Sequence, residues 1–299
     1  MKTPRIKQLL LLSMIFLISP VLSATEVKLN HEGISLNANL EKTENWTSGP
    51  VVLMTHGTLA HSKMEIMTTL QGLLKEQGIS SLSINLGLGI TQRKEFYDCP
   101  TPHTHKHTDA IDEIGVWLNW LKKEKVQQVV LLGHSRGGNQ TAWFAAEHDE
   151  PIIKKVVLIA PAIHNLEEEK KSYKKRYNKD LQPLINKAQA LVSAGKGSSQ
   201  LQNIDFIYCA DTTATADSFV SYYNDNPNQN SLHLMPKIKK PLLVFAGSED
   251  KVTKNLDKLG VPLAEKHGFQ FEVIDGSDHY FRDLYADELV EIITEFIGE

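Results

Sequence analysis

Cysteine is scarce in this chain of 299 residues, which holds only Cys99 and Cys209. A basic excess is missing as well: the formal net charge is −4, which gives no support to nucleic-acid binding. No internal repeat is apparent. The apolar stretch Leu9–Ile18 is too short to span a bilayer. No cysteine directly follows that stretch, which argues against a lipoprotein anchor.

What is present begins with a secretory signature. Lys2, Arg5 and Lys7 precede the apolar stretch, and Pro20, Val21, Ser23 and Ala24 resemble a cleavage region. Residues 1–23 are therefore expected to be a signal peptide, with an uncleaved N-terminal anchor as the alternative. The mature chain is expected in the periplasm or secreted, with no stable membrane anchor. In that compartment an even pair of cysteines is a disulfide candidate. Cys99 and Cys209 would close a loop on the order of 100 residues, worth about 4–5 kcal/mol in the chain-entropy model. Two unpaired thiols are the other reading. A hydrophobic content of 41% is enough for a substantial core.

The chain is organised around Val126–Gly138, VQQVVLLGHSRGG. The apolar run Val129–Leu132 reads as a buried parallel strand. It ends in Gly133-His134-Ser135-Arg136-Gly137, and residues 138–148 read as a helix. Strand, Gly-x-Ser-x-Gly, helix is the sequence form of a nucleophile elbow. The serine must sit in a strained turn to project its hydroxyl, and Gly133 and Gly137 avoid collisions that a Cβ would cause. The following helix N-terminus favours developing negative charge.

Around this stretch, apolar strands alternate with amphipathic helices. Val27–Leu29 and Ile34–Leu40 predict a hairpin. Val51–Thr55, Ser81–Leu86, Val156–Ile159, Leu242–Ala246 and Phe269–Ile274 predict further strands. Helical spacing falls at Met67–Leu74, Ile111–Leu121, Leu256–His267 and Leu289–Ile297. The alternation predicts an α/β fold with a mostly parallel central sheet and helices on both faces. Between residues 163 and 236 the alternation breaks, which predicts a cap inserted after a sheet strand. The charged run Glu167–Asp180 reads as a solvated helix face. Gly195–Ser199 reads as a flexible break and Asn224–Ser231 as a surface connection. The apolar helix of the cap, Leu181–Val192, suggests a partly hydrophobic acyl pocket.

His56-Gly57-Thr58, Gly133-His134-Ser135-Arg136-Gly137, Gly247-Ser248-Glu249-Asp250 and Asp278-His279 together resemble the α/β-hydrolase superfamily, from about Val51 to the C-terminus. The branch most similar is that of serine aminopeptidases and monoacylglycerol lipases. The chain is also similar to exported bacterial hydrolases with a Cys-Pro-x-Pro-His-x-His-like loop. The resemblance implies Ser135 as nucleophile, His279 as its base and Asp250 as the orienting acid, with Glu249 as competitor. Asp278 is expected to be a turn or capping residue. The backbone N–H groups of Thr58 and Arg136 are the implied oxyanion donors, with Leu59 as a substitute for Thr58. His56 is expected to brace its loop.

The expected activity is cleavage of a carboxylic ester or thioester, through an acyl-enzyme, on a small-molecule acyl substrate. An amidase or aminopeptidase with the same triad, and a non-catalytic binding protein on the same scaffold, are the competing readings. No cofactor is expected. His103, His105 and His107 could bind zinc or copper on an extended segment. An active-site rim loop tied to its neighbours, with no metal, is preferred. A Cys99–Cys209 bond would fix the cap over the pocket.

Overall fold

In a computed structural model of the protein, residues 24–299 are described. The signal-peptide expectation for Met1–Ser23 lies outside the described residues. No helix among those described is long and apolar enough to cross a membrane.

The described residues form an eight-stranded sheet in the order β1-β2-β4-β3-β5-β6-β9-β10. Its edge is the expected hairpin, β1 (Thr25–His31) antiparallel to β2 (Ile34–Glu41). The parallel part comprises β3 (Pro50–Thr55), β4 (Ser80–Asn85), β5 (Gln128–His134), β6 (Ile153–Ile159), β9 (Leu242–Gly247) and β10 (Gln270–Ile274). Side chains alternate along each strand, so one apolar run serves two cores. Val51, Leu53, Val129, Leu131, Val156, Leu158 and Val244 pack on one face. They meet α2 (Asp109–Lys123), α3 (Arg136–Glu147) and the inserted segment. Val52, Met54, Val130, Leu132, Val157, Ile159 and Phe245 pack on the other, against α1 (Glu65–Glu76) and the closing helix α9 (Leu284–Gly298).

Strand order positions the site. From β3 the chain passes to β4 on one side, then returns across β3 to place β5 on its other side. The carboxyl ends of β3 and β5 therefore flank a crevice, the usual ligand position in such sheets. Thr55 pairs with Gly133 across it, which sets the loop after β3 beside Ser135.

Residues 160–241 leave the sheet between β6 and β9. α4 (Leu166–Tyr177) carries the charged run, and only its Tyr173 is buried. α5 (Gln182–Ser193) packs Ile185 and Ala188 inward. A hairpin follows, β7 (Gln200–Phe206) with β8 (Cys209–Thr215), then α6 (Ala216–Tyr223) and α7 (Ser231–Leu234). Two expectations need correction. Residues 195–199 are tied rather than loose, because Ala216 N–H donates to Ser199 O and Asp217 N–H to Gly197 O, each at 2.9 Å. Residues 224–231 are no mere surface connection: Gln229 and Ser231 are buried, and Asn230 bridges to Ile163. Polar residues there fill their own backbone valences, a pattern that composition alone reads as surface.

Candidate active site

Ser135 caps β5 in a conformation few L-residues adopt, φ +57° and ψ −122°. Three backbone bonds hold it: Ser135 N–H donates to Ile159 O at 2.9 Å, and its carbonyl accepts from Asn139 and Ala162. A Cβ at Gly137 would collide with the carbonyls of Thr55 and His56, so only glycine lets α3 approach the end of β3. α3 starts directly at Arg136, earlier than the sequence pattern suggests. As first helical residue, Arg136 has an N–H that no intrahelical carbonyl accepts.

The loops after β9 and β10 bring Asp250 and His279 together. Glu249 N–H donates to Ser277 O at 3.0 Å, and a Cβ on Gly247 would meet the carbonyls of Ser277 and Asp278. His279 Nδ1–H donates to Asp250 Oδ2 at 2.8 Å, with both side chains nearly fully buried. Asp250 Oδ2 also accepts from Thr253 Oγ1 at 2.5 Å, and Oδ1 from the N–H groups of Val252 and Thr253 at 2.6 and 3.0 Å. Burial pushes this carboxyl up, but the His279 bond and charge, with the Thr253 and Val252 donors, outweigh it and hold it at about 2. Glu249 is exposed, and Asp278 accepts from Tyr280 N–H at 2.8 Å as a turn residue.

Ser135 and His279 line one cleft of about 600 Å³ together with Thr58, His61, Lys63, Phe96, Tyr208, Val252, Tyr280 and Arg282. No Ser135–His279 hydrogen bond forms among the described residues. His134, the variable residue of Gly-x-Ser-x-Gly, has a role the motif does not announce. Its Nε2–H donates to the His279 carbonyl at 2.9 Å, tying the loop after β10 to the elbow. Burial, then the neighbouring His279, pushes the His134 ring down to about 3.

Across the crevice, Thr58 N–H takes no backbone partner among the described residues. The side chains of Thr58 and Arg136 interlock, Arg136 Nε donating to Thr58 Oγ1 at 3.0 Å. The guanidinium also lies 5.2 Å from the Tyr222 ring of α6, so the inserted segment reaches this pair. Leu59 adopts φ +54° and accepts from Tyr97 N–H. His56 is buried and braces its loop: Leu86 N–H donates to its Nε2 at 3.1 Å, and its Nδ1–H donates to Gly57 O at 2.9 Å. Burial, then the Arg93 charge, keeps His56 well below the usual histidine value.

His103, His105 and His107 do not rim the cleft. Each is at most 1% exposed. His103 Nδ1 and His105 Nε2 share a bond of 3.1 Å, and His105 Nδ1 meets Tyr222 Oη at 2.8 Å. His107 Nε2–H donates to Asn139 Oδ1 at 2.9 Å. No cluster of three or more His, Cys, Asp or Glu able to hold a metal occurs among the described residues. The loop is buried because it joins the inserted hairpin: His103 pairs with Ala214, and a disulfide joins Cys99 to Cys209 with Cα atoms 5.3 Å apart. The expected acyl pocket is also differently lined, since α5 contributes nothing to the cleft and its apolar lining comes from loops and the start of α1. Sequence reading missed Arg93 and Glu113, both buried. Arg93 donates to Leu86 O and Glu95 O, and Glu113 accepts twice from Gly87 N–H. No spacing signal marks either residue, because both serve one irregular loop.

A sequence profile described as the alpha/beta hydrolase fold matches residues 50–281. The chain belongs to the α/β-hydrolase family. No curated protein matches it in sequence. Among solved structures it is similar to Est1E from Butyrivibrio proteoclasticus with ferulic acid bound, at 19% identity and a TM-score of 0.64, covering 91% of this chain and 97% of that one. It is also similar to a monoacylglycerol lipase from Paleococcus ferrophilus, at 18% identity and TM-score 0.58, covering 88% and 98%. A third is the α/β hydrolase GrgF from Penicillium sp. sh18, at 16% identity and TM-score 0.66, covering 92% and 98%. At these identities the likeness is one of fold. The chain is a hydrolase of this fold.

Proposed function

We propose that the chain is a serine hydrolase that cleaves a carboxylic ester or thioester through an acyl-enzyme. The observation that carries this reading is the buried 2.8 Å Asp250–His279 bond, in a cleft that Ser135 also lines. With Nδ1 donating to Asp250, the lone pair of His279 Nε2 is free to take the Ser135 proton. The Ser135 oxygen then attacks the acyl carbon. The resulting oxyanion accepts from the N–H groups of Thr58 and Arg136. His279 returns the proton to the leaving alkoxide or thiolate, and an activated water later releases the acid.

The substrate is a small acyl compound. The monoacylglycerol lipase among similar folds supports ester over amide chemistry. The inserted segment, residues 163–236, acts as a cap. The disulfide supports an oxidising compartment, so the protein is exported to the periplasm or beyond. A fluorophosphonate probe tests the mechanism: the wild type labels, and Ser135→Ala does not. Labelling that persists in the variant moves the nucleophile elsewhere, and faster turnover of aminoacyl amides than of esters makes the protein an amidase.

A further inference from the structure

Large apolar side chains gathered in water around a concave site mark what that site holds. Phe96, Tyr208, Val252 and Tyr280 are 61%, 52%, 51% and 38% exposed, and all four line the cleft. Three of them are rings.

Two of these rings stand on firmly held backbone. Beside Phe96, Tyr97 N–H donates to Leu59 O at 2.9 Å, and the Phe96 ring meets His61 edge-on at 4.7 Å. Before Tyr208, Ile207 O accepts from Arg176 and from the Tyr177 hydroxyl, each at 2.9 Å, and Ile207 N–H donates to the Tyr223 hydroxyl at 2.7 Å. The Arg176 guanidinium lies 4.7 Å from the Tyr208 ring. Each ring is thus exposed, oriented and backed by a polar neighbour. A planar partner gains from such faces beyond the area it buries, whereas an alkyl group gains only the area.

The two rings come from segments far apart in sequence, joined next to them by one covalent bond. Cys99 lies three residues beyond Phe96, Cys209 directly follows Tyr208, and the disulfide spans 110 residues. Thr212 Oγ1 donates to Cys99 O, and His103 N–H donates to Thr213 O at 2.8 Å, extending the seam.

We propose that Phe96 and Tyr208 form an aryl-binding wall of the cleft, held at a set separation by the Cys99–Cys209 disulfide. The protein therefore prefers esters that carry an aromatic ring and loses that preference when the bond is reduced. The inference rests on the hydrolase reading of the cleft and adds its substrate class.

Paired substrates of matched ester reactivity test it: methyl 3-phenylpropanoate against methyl 3-cyclohexylpropanoate, and 2-phenylethyl acetate against 2-cyclohexylethyl acetate. In one pair at least, kcat/KM of the oxidised wild type favours the aryl ester by about fivefold or more. Phe96→Leu and Tyr208→Leu each cut that ratio about threefold, through KM. Native-state reduction with thiols counted, or the Cys99→Ser/Cys209→Ser double variant, brings the ratio close to one. Reduction supplies the answer if the double variant does not fold. Equal rates in both pairs overturn the aryl assignment. A ratio that survives full reduction overturns the brace. Binding of the same esters to Ser135→Ala, measured by calorimetry, reads the wall without turnover. An aryl preference in binding, with no hydrolysis by the wild type, leaves the wall standing and defeats the enzymatic reading alone. Equal binding defeats the wall whatever the activity.

Discussion

The elbow between β3 and β5 and the seam between residues 99–107 and the inserted segment are both buried and polar, yet they are held by different means. At the elbow, strand register does the placing: Thr55 opposite Gly133, glycines where chains nearly touch, and backbone bonds to Ser135. At the seam, specific side chains do it: three histidines, Tyr222, Asn139 and one disulfide. The contrast teaches that the sheet fixes positions by repetition, whereas the seam depends on individual groups whose protonation and redox state matter.

That contrast yields predictions that start at the elbow. Ser135→Ala is expected to lower kcat for a p-nitrophenyl ester by about 10⁴ or more with unchanged melting. Asp250→Asn is expected to cost about 10⁴ in kcat, because the wrong imidazole tautomer would be held. Glu249→Gln, on an exposed side chain, stays within about twofold; a large loss there would move the acid to Glu249.

At the seam the expected losses are of stability. Removing the disulfide is expected to cost about 4–5 kcal/mol, a fall in Tm of roughly 8–20 °C at this size. Differential scanning calorimetry of the double serine variant measures it, and a fall under about 2 °C would show that the hairpin holds the loop unaided.

Acid should strike the seam, which contains His103, His105, His107 and His164, more than the elbow, where burial also holds His56 and His134 down. Burial, with Arg136 also acting on His107 and His164, pushes His103 and His164 down to about 4 and His107 to about 3. Their folded values lie below the ordinary 6.5, so the unfolded chain binds more protons between those limits. Stability is therefore full above 6.5 and falls as pH drops toward 3. Hydrogen exchange at mildly acid pH is expected to rise first at residues 103–107 and 216–223. Equal protection there and in β3 and β5 would erase the contrast.

A second pH effect, of opposite sign, concerns Glu113. Burial, only partly offset by Gly87 N–H and Arg93, pushes it up to about 8, so folding loses stability as pH rises from about 4.5 to 8. Glu113→Gln keeps an acceptor for Gly87 and removes the titration. Its Tm should decline less than that of the wild type over that range, by a few degrees.

Legibility in the sequence follows the same divide. Continuous apolar runs and the motifs that follow them, Gly-x-Ser-x-Gly among them, placed the sheet, Ser135, His279 and Asp250 at strand ends, because burial on both faces leaves an apolar run that can be read directly. The β7–β8 hairpin was not legible. Its residues, such as Gln200, Asn203 and Asp211, are polar, since its core contacts come from few side chains. The His103–His107 spacing suggested metal ligands or a rim, because alternation along an extended segment does not reveal what it packs against. Arg93 and the cleft rings gave no signal, since loops place them singly, and Glu113 is a lone buried acid within the helix α2.

The Arg136 side chain carries one last implication. Its backbone belongs to the elbow, its Nε grips Thr58, and its guanidinium rests near Tyr222 of the inserted segment. Excursions between β6 and β9 cannot be exchanged freely among relatives here, because a transplant lacking an aromatic ring at position 222 would leave that cation to Thr58 and His107 alone. Evolution of the inserted segment and of the turn after β3 is thereby yoked, and changes in one should arrive with compensating changes in the other.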